Sequence, residues 1–279
     1  MKYYVYDCEV LPFDWIVVFK DLESGEYSVF HNDYELLVDF MTPDDIYFGF
    51  NSKSYDQYII KAIASGMDNE VIKQLSDDIV AGQNGWEHPI IEHCWFKFNN
   101  SDIRDDCQAG LSLKAIEGHL RMKIQESSIP FDLPRELTSD ELNELIFYCK
   151  HDVDTTEQLV HLRKSYLSNK VYVGQMAGLS IEKSLSMTNA KLTAAFLKAR
   201  KPLAPRTDER EYKYPENLKR EYIPQEVFDF FDRMYDPNVS DSELFKSKID
   251  FKIGDCSVTI AYGGIHGAIP YYIWKEGDS

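Results

Sequence analysis

The predicted order of secondary-structure elements is the feature that most constrains the fold of this chain. Short runs of β-branched and aromatic residues at 2–6 and 15–20, with a third run at 26–31 after Gly25, predict an antiparallel meander of three strands. Helical and strand patterns then alternate, with helices predicted at 33–40, 54–65, 68–80, 112–121 and 139–164 and strands at 46–50 and 94–98. This order predicts an α/β fold with a mixed sheet flanked by helices. A smaller, mostly helical region that ends in a glycine-rich hairpin is expected to follow it.

Charge is distributed unevenly along the chain, whose 279 residues carry a formal net charge of −17. Residues 1–165 contain 31 Asp and Glu against 14 Lys and Arg, whereas residues 166–279 contain 16 of each. We therefore expect two regions with different roles, bounded near residue 165. Within the second region, residues 166–221 hold 11 basic and 6 acidic residues, which favours either a solvated linker or a strip that contacts phosphate groups.

Composition limits the cellular context. No apolar run approaches the roughly 18 residues that a membrane span requires, so we expect no membrane partner. An acidic residue at position 7 comes too early for a signal peptide. The five cysteines are scattered and form no CxxC motif, which favours a reducing compartment, and we expect a cytoplasmic protein.

Three short patterns place carboxylates at the ends of predicted elements. Asp7 and Glu9 follow the first strand, and alternation along an extended chain puts both side chains on one face. Asp56 falls in the first turn of the predicted 54–65 helix, where the helix dipole favours an anion. Tyr148 and Asp152 are four residues apart on the 139–164 helix and therefore share a face. Each pattern alone is also compatible with a structural role, as a chance acidic pair, a helix-start acid or a core-edge tyrosine.

Bringing the four carboxylates of these patterns together would create strong repulsion unless cations neutralised it. Carboxylate oxygens on short, rigid elements suit Mg²⁺ or Mn²⁺. Two such ions about 3.5–4 Å apart can activate a water molecule and stabilise the leaving oxygen of a phosphodiester. The acidic patterns therefore predict two divalent cations, Mg²⁺ or Mn²⁺, and hydrolysis of a phosphodiester bond.

Taken together, the patterns resemble the three motifs of the DEDD 3′–5′ exonuclease superfamily, tyrosine subtype. The residues that carry this resemblance are Asp7-x-Glu9, Asn51-x3-Tyr55-Asp56 and Tyr148-x3-Asp152. The resemblance implies a ribonuclease H-like fold in which Asp7, Glu9 and Asp152 hold the catalytic metal and Asp56 binds through water. It also implies that the Tyr148 hydroxyl orients the attacking water. The histidine subtype has its histidine five residues before the last aspartate, where Phe147 stands here, so His151 is expected to be incidental.

Two details narrow the resemblance to phage-type family B DNA polymerases. The five-residue step from Asn51 to Asp56 matches their proofreading domains. Tyr262-Gly263-Gly264 resembles their Tyr/Gly-Gly motif, a loop that contacts single-stranded template, although an ordinary hairpin turn is the alternative. The implied partners are single-stranded DNA, a primer 3′ end and a polymerase region normally on the same chain. The family's palm motifs do not follow in this sequence, so we expect no polymerase activity from it.

Further DNA contacts are predicted outside the acidic motifs. Val10 to Phe13 stand where many family members have threonines that contact the terminal nucleotide, so stacking by Phe13 is expected instead. Lys114 is either a cation for the scissile phosphate or a plain helix lysine. Asn51 either contacts DNA or fixes a turn, and Tyr55 either stacks on a base or packs in the core. A group of aspartates is expected in a solvated loop, namely Asp102, Asp105 and Asp106.

The function that the sequence favours is metal-dependent 3′–5′ exonuclease activity on single-stranded DNA ends. Such an enzyme would release nucleoside 5′-monophosphates as the proofreading part of a phage DNA polymerase in the host cytoplasm. Two alternatives remain open at this point. One is an RNA 3′-end trimming exonuclease, and the other is a catalytically silent module that binds template DNA.

Overall fold

The computed structural model describes most of the chain. The described residues are 1–105, 107, 111–200, 221, 223–236, 238–240, 243, 246–253, 256–261 and 264–268. Two compact units are present, Met1–Lys201 and Pro202–Ser279. Two of the predicted DNA-contacting residues, Tyr262 and Gly263, and the predicted loop residue Asp106 lie outside the described residues.

The first unit is built on a five-stranded mixed sheet. Its strands are β1 (Tyr3–Val10), β2 (Trp15–Asp21), β3 (Tyr27–His31), β4 (Ile46–Gly49) and β5 (Asn99–Asp102). The strand order is β3-β2-β1-β4-β5, with antiparallel pairing among the first three strands and parallel pairing of β1 with β4 and of β4 with β5. Strand β1 therefore lies at the centre, where the antiparallel meander meets the parallel part.

Helices cover both faces of this sheet. They are α1 (Tyr34–Phe40), α2 (Asp56–Ala64), α3 (Asn69–Val80), α4 (Pro89–Glu92), α5 (Leu113–His119), α6 (Ser139–Leu162), α7 (Lys164–Met176), α8 (Ile181–Ser186) and α9 (Asn189–Phe196). The described part of the second unit contains α10 (Gln225–Tyr235) and the antiparallel sheet of β6 (Lys248–Ile253), β7 (Cys256–Ala261) and β8 (Gly264–Ala268). None of the described helices combines the length and apolarity needed to cross a membrane.

Strand β1 has a separate hydrophobic core on each face. Tyr6 and Cys8 are buried with the isoleucines of α2, such as Ile60. Val5, on the opposite face, is buried with Val153 and other apolar residues of α6. Because α2 and α6 pack on opposite faces of the same strand, their polar residues approach the carboxyl end of β1 from two sides.

The orientation of α6 is fixed at both ends of its contact with the sheet. At its start, the Thr138 and Glu141 side chains form a capping box, each accepting from the other's backbone N–H. Further along, Nζ of Lys20 on β2 donates to Asp154 at 2.8 Å and to Glu157 at 2.6 Å. These contacts set which face of α6 points toward β1.

The prediction of an α/β fold with a mixed sheet between helices is confirmed. The strand predicted at 94–98 is wrong, because Phe96 and Phe98 pack half-buried against the core while the following polar residues form β5. In that strand, Oδ1 of Asn100 accepts hydrogen bonds from the Tyr6 hydroxyl at 2.9 Å and from the Ser52 hydroxyl at 3.0 Å. Hydrogen bonding from neighbours thus allows a polar segment to serve as a buried strand.

The compact first unit extends to Lys201, beyond the boundary predicted near 165. Leu185 of α8 is buried in the core that lies under α6. The carbonyl of Ser186 also accepts a hydrogen bond from Lys53 at 2.7 Å. In the second unit, β7 and β8 form an antiparallel pair in which Ala261 lies opposite Gly264.

Candidate active site

Strand β1 presents two carboxylates toward α6. Asp7 pairs with Val18 of β2 and Glu9 pairs with Ile16, so the two acidic residues occupy alternate positions on one face. Val5 precedes them on that face and is fully buried beneath α6. Asp7 is half-buried, and Glu9 is buried at 9% exposure. The face of β1 that packs under α6 is therefore hydrophobic at Val5 and becomes acidic at Asp7 and Glu9, near the carboxyl end of the strand.

The turn between β4 and α2 positions the third carboxylate. A Cβ at Gly49 would lie 2.5 Å from Cβ of Ser52, so only glycine lets the chain fold back so closely here. Helix α2 then begins at Asp56, so that this residue lies in the first turn, as predicted. Asp56 is 4% exposed. Oδ1 of Asp56 accepts a hydrogen bond from the Cys8 thiol at 3.0 Å. This contact places the Asp56 carboxylate beside β1.

Asp102 stabilises the same turn. Its carboxylate accepts hydrogen bonds from the backbone N–H groups of Asn51 at 2.9 Å, Lys53 at 3.0 Å and Arg104 at 2.9 Å. Asp102 is 8% exposed, so its predicted place in a solvated loop is wrong. Three backbone donors compensate the loss of solvent around this carboxylate, which explains why it can be buried.

Helix α6 supplies the fourth carboxylate. Asp152 is 8% exposed, and its Oδ1 lies 2.8 Å from Nζ of Lys114 on α5. The Lys114 ammonium also lies 4.8 Å from the centre of the Tyr148 ring, one turn before Asp152 on α6. On the side of α6 that faces β1, the Cys149 thiol lies 3.6 Å from Oδ2 of Asp7. Helix α6 therefore contacts β1 at the acidic end of that strand.

A cavity of about 370 Å³ opens where these elements meet. All four predicted carboxylates line it. The lining residues are Asp7, Cys8, Glu9, Phe50, Asn51, Tyr55, Asp56, Arg104, Leu111, Ser112, Leu113 and Asp152. Carboxylates that are separated by up to 145 positions in the sequence thus face one space at the carboxyl ends of β1 and β4.

Burial and mutual repulsion make the ionised forms of these carboxylates unfavourable. Burial raises the pKa of Asp7, and the charges of Asp56, Glu9 and Asp152 raise it further. Burial likewise raises the pKa of Glu9. The pKa of Asp56 rises to about 6 because of burial, although the Cys8 hydrogen bond opposes the shift. Burial raises the pKa of Asp152 against the opposing effect of Lys114. A cation is the natural way to hold all four groups ionised.

Two separate clusters each have ligand atoms close enough to share an ion. The first comprises Asp7, Glu9 and Cys149, and the second comprises Glu117, His151 and Asp152, with the ligand atoms of each set within 4.8 Å of one another. The buried carboxylate oxygens are donors of the type that Mg²⁺ and Mn²⁺ prefer. The predicted requirement for a cation therefore has a suitable donor set, whereas the number and kind of ions remain predictions.

The Tyr148 hydroxyl is a hydrogen-bond donor at this site. Burial raises the pKa of Tyr148, and the charges of Asp152 and Glu9 raise it further. The phenol therefore stays protonated at neutral pH, as a group that orients a water molecule or a phosphate oxygen must. Its position one turn before Asp152 agrees with the predicted arrangement on α6.

Only some of the residues predicted to contact DNA line the cavity. Asn51 lines the cavity, has a left-handed backbone with φ of 60° and accepts a hydrogen bond from Arg104 at 2.6 Å. Tyr55 lines the cavity too, but its hydroxyl bonds to Ser76 at 2.7 Å and its ring packs against the core. Phe13 is 45% exposed in the β1–β2 loop and is not a lining residue of the cavity. Gly264 belongs to the second unit.

Sequence reasoning missed Arg104, Glu117 and Cys149. Arg104 follows β5 at the same edge where β1 and β4 end, and because β5 itself was not predicted, no local pattern pointed to Arg104. Glu117 is three residues after Lys114 on α5, so it shares a helix face with a residue already singled out. Cys149 looks like an ordinary core cysteine, and only the contact of α6 with β1 brings it near Asp7.

No protein-family model matches the chain, and comparisons with curated proteins and with solved structures likewise return no match.

Proposed function

We propose that this chain is a metal-dependent 3′–5′ exonuclease of the DEDD superfamily, tyrosine subtype, that hydrolyses single-stranded DNA from its 3′ end. The observation that carries this proposal is the meeting of four carboxylates from β1, α2 and α6 at one cavity. The strand order β3-β2-β1-β4-β5, with its antiparallel and parallel halves, is compatible with a ribonuclease H-like fold. Support also comes from the positions of the motif carboxylates on β1, at the start of α2 and on α6.

The carboxylates divide into two groups in this proposal. Asp7, Glu9 and Asp152 would hold the divalent cations directly, and Asp56 would bind through water. Bound Mg²⁺ or Mn²⁺ would supply Lewis-acid stabilisation of the leaving oxygen and lower the pKa of a bound water. The buried carboxylates with raised pKa values support this assignment, because they gain more from a cation than exposed acids would.

The remaining side chains bind and orient the DNA end. The protonated Tyr148 hydroxyl orients the attacking water. The cations Lys114 and Arg104 lie beside the carboxylates, where they balance phosphate charge that would otherwise be repelled. Asn51 and Tyr55 line the cavity and would contact the terminal nucleotide. The products would be nucleoside 5′-monophosphates.

Biologically, the chain would be the proofreading part of a phage-type family B DNA polymerase acting in the host cytoplasm. Its partners would be a primer 3′ end and a polymerase region, and the glycine-rich motif Tyr262-Gly263-Gly264 would contact template. The motif resemblance supports this placement, and the acidic first region is consistent with a site that holds DNA through cations.

Incubating 3′-labelled DNA and RNA strands with the protein in Mn²⁺ or in EDTA tests the proposal. We expect labelled deoxynucleoside monophosphate from single-stranded DNA in Mn²⁺ only. Faster digestion of the RNA strand would replace the proposal with an RNA-trimming enzyme. DNA binding that persists in EDTA, without turnover in Mg²⁺ or Mn²⁺, would show a catalytically silent module instead.

A further inference from the structure

A fifth carboxylate, Glu117, is buried behind the site. It is fully buried on α5, and its Oε1 accepts a hydrogen bond from the Thr155 hydroxyl of α6 at 3.0 Å. Among the described residues, its Oε2 has no hydrogen-bond partner. Nε2 of His151 lies 3.1 Å from Oε1 but makes no hydrogen bond to it. A buried carboxylate oxygen without a donor is costly and calls for a reason.

The cation nearest to that oxygen is Lys114. Its Nζ lies 3.7 Å from Oε2 of Glu117 and 2.8 Å from Oδ1 of Asp152. The ammonium is therefore hydrogen-bonded to Asp152 and lies just outside hydrogen-bond distance of Glu117. Because a lysine side chain is flexible and carries three donors, a small rotation is enough to exchange one carboxylate for the other.

This position also decides against a separate metal site. Glu117, His151 and Asp152 form a potential ligand cluster, but the Lys114 ammonium already lies between two of its three members. A fixed positive charge there repels a divalent ion. The cluster is better understood as a place for the ammonium than as a place for a metal.

We propose that Glu117 is a positioning residue that takes the Lys114 ammonium over from Asp152 and so leaves the Asp152 carboxylate free to bind a cation. The inference rests on the proposed function, in which Asp152 is a cation ligand. Without Glu117, Asp152 is the carboxylate that remains within 4 Å of the Lys114 ammonium among the described residues, so that Lys114 competes there with the incoming ion. With Glu117, the ammonium stays at the site, next to the substrate phosphate, without occupying the metal ligand.

A double-mutant cycle on Mn²⁺ affinity tests this proposal without requiring catalysis. Mn²⁺ binding is measured by electron paramagnetic resonance for the wild type, Glu117→Gln, Lys114→Met and the double variant. We expect Glu117→Gln to bind Mn²⁺ about tenfold more weakly than the wild type. In the Lys114→Met background, the same Glu117→Gln change is expected to have no effect, since the competing ammonium is gone.

Equal weakening in both backgrounds would overturn the proposal, because Glu117 would then act on the ion through its charge alone. Glu144→Gln provides a matched control, since Glu144 is an exposed carboxylate of α6 that accepts from Ser128 and its loss should leave Mn²⁺ affinity unchanged.

Two further outcomes remain distinguishable. If the wild type binds no Mn²⁺, the proposed function fails together with this inference. If the wild type binds Mn²⁺ and Glu117→Gln binds it equally well, only the inference fails. Should Glu117→Gln not fold, Lys114→Met alone is decisive, since it is expected to bind Mn²⁺ more tightly than the wild type and unchanged or weaker binding would contradict competition at Asp152.

Discussion

The thiol of Cys8 donates a hydrogen bond to Oδ1 of Asp56 at 3.0 Å and so ties strand β1 to the first residue of α2. Burial nevertheless raises the pKa of Asp56 to about 6. In the absence of a cation, the fold thus holds this carboxylate where burial makes ionisation less favourable than in water. A group with a raised folded-state pKa of this kind makes stability depend on pH.

Replacing Asp56 with asparagine should stabilise the metal-free protein at neutral pH. The folded-state pKa of about 6 lies above the unfolded value of 3.8, so ionisation costs stability progressively as pH rises from about 4 to 6. The full cost for this buried group is about 3 kcal/mol at pH 7. Urea unfolding in EDTA at pH 4 and pH 7 should show a smaller loss of stability with pH for Asp56→Asn than for the wild type.

Asp44→Asn is a suitable control for that measurement because Asp44 is exposed to solvent in the loop before β4. Its pH profile should follow the wild type. A profile for Asp56→Asn that also ran parallel to the wild type would show that Asp56 ionises without cost in the folded protein.

Asn51 should tolerate glycine better than alanine. Its φ of 60° lies in the left-handed region, where a Cβ costs about 1 kcal/mol unless the side chain forms local hydrogen bonds. Both variants lose the oxygen that accepts from Arg104. Asn51→Ala keeps the Cβ and its backbone strain, whereas Asn51→Gly removes that strain. Equilibrium unfolding should rank Asn51→Gly above Asn51→Ala by about 1 kcal/mol. The reverse order would show that the turn changes conformation when the side chain is lost.

Tyr148→Phe should slow hydrolysis while leaving the cation site intact. Removing a hydroxyl that orients the reacting water is expected to lower kcat about 100-fold. Mn²⁺ affinity should remain unchanged, since all four carboxylates are retained. Tyr172→Phe, at an exposed position of α7, provides the matched control and should keep full activity. Full activity of Tyr148→Phe would exclude the hydroxyl from the reaction.

Much of the site was predictable because its residues follow local rules. Alternation along β1 predicts that Asp7 and Glu9 share a face, and the i, i+4 spacing predicts the same of Tyr148 and Asp152. The change from an extended to a helical pattern predicts a helix from residue 54, two residues before the observed start of α2, with Asp56 in its first turn. Each of these features depends on neighbours within one element, which a single sequence contains.

The features that escaped prediction depend on contacts between elements. The polar strand β5 exists because Tyr6 and Ser52 donate to Asn100, and no local pattern encodes those donors. Asp102 looked like a loop acid because its three backbone partners belong to a turn about fifty positions earlier and to its own loop. Glu117 was overlooked for the same reason, since Thr155 and His151 reach it from a different helix.

In the proposed function, the carboxylates at the end of β1 and on α6 form one cation-dependent hydrolytic centre. Its most direct test is the rate at which wild type, Asp7→Asn and Asp152→Asn release labelled nucleotide from 3′-labelled single-stranded DNA at saturating Mn²⁺. We expect Mn²⁺-dependent release of labelled nucleotide by the wild type, and a release rate that is roughly 10³-fold lower in each folded variant. Wild-type rates in both variants, or release by the wild type in EDTA, would contradict it.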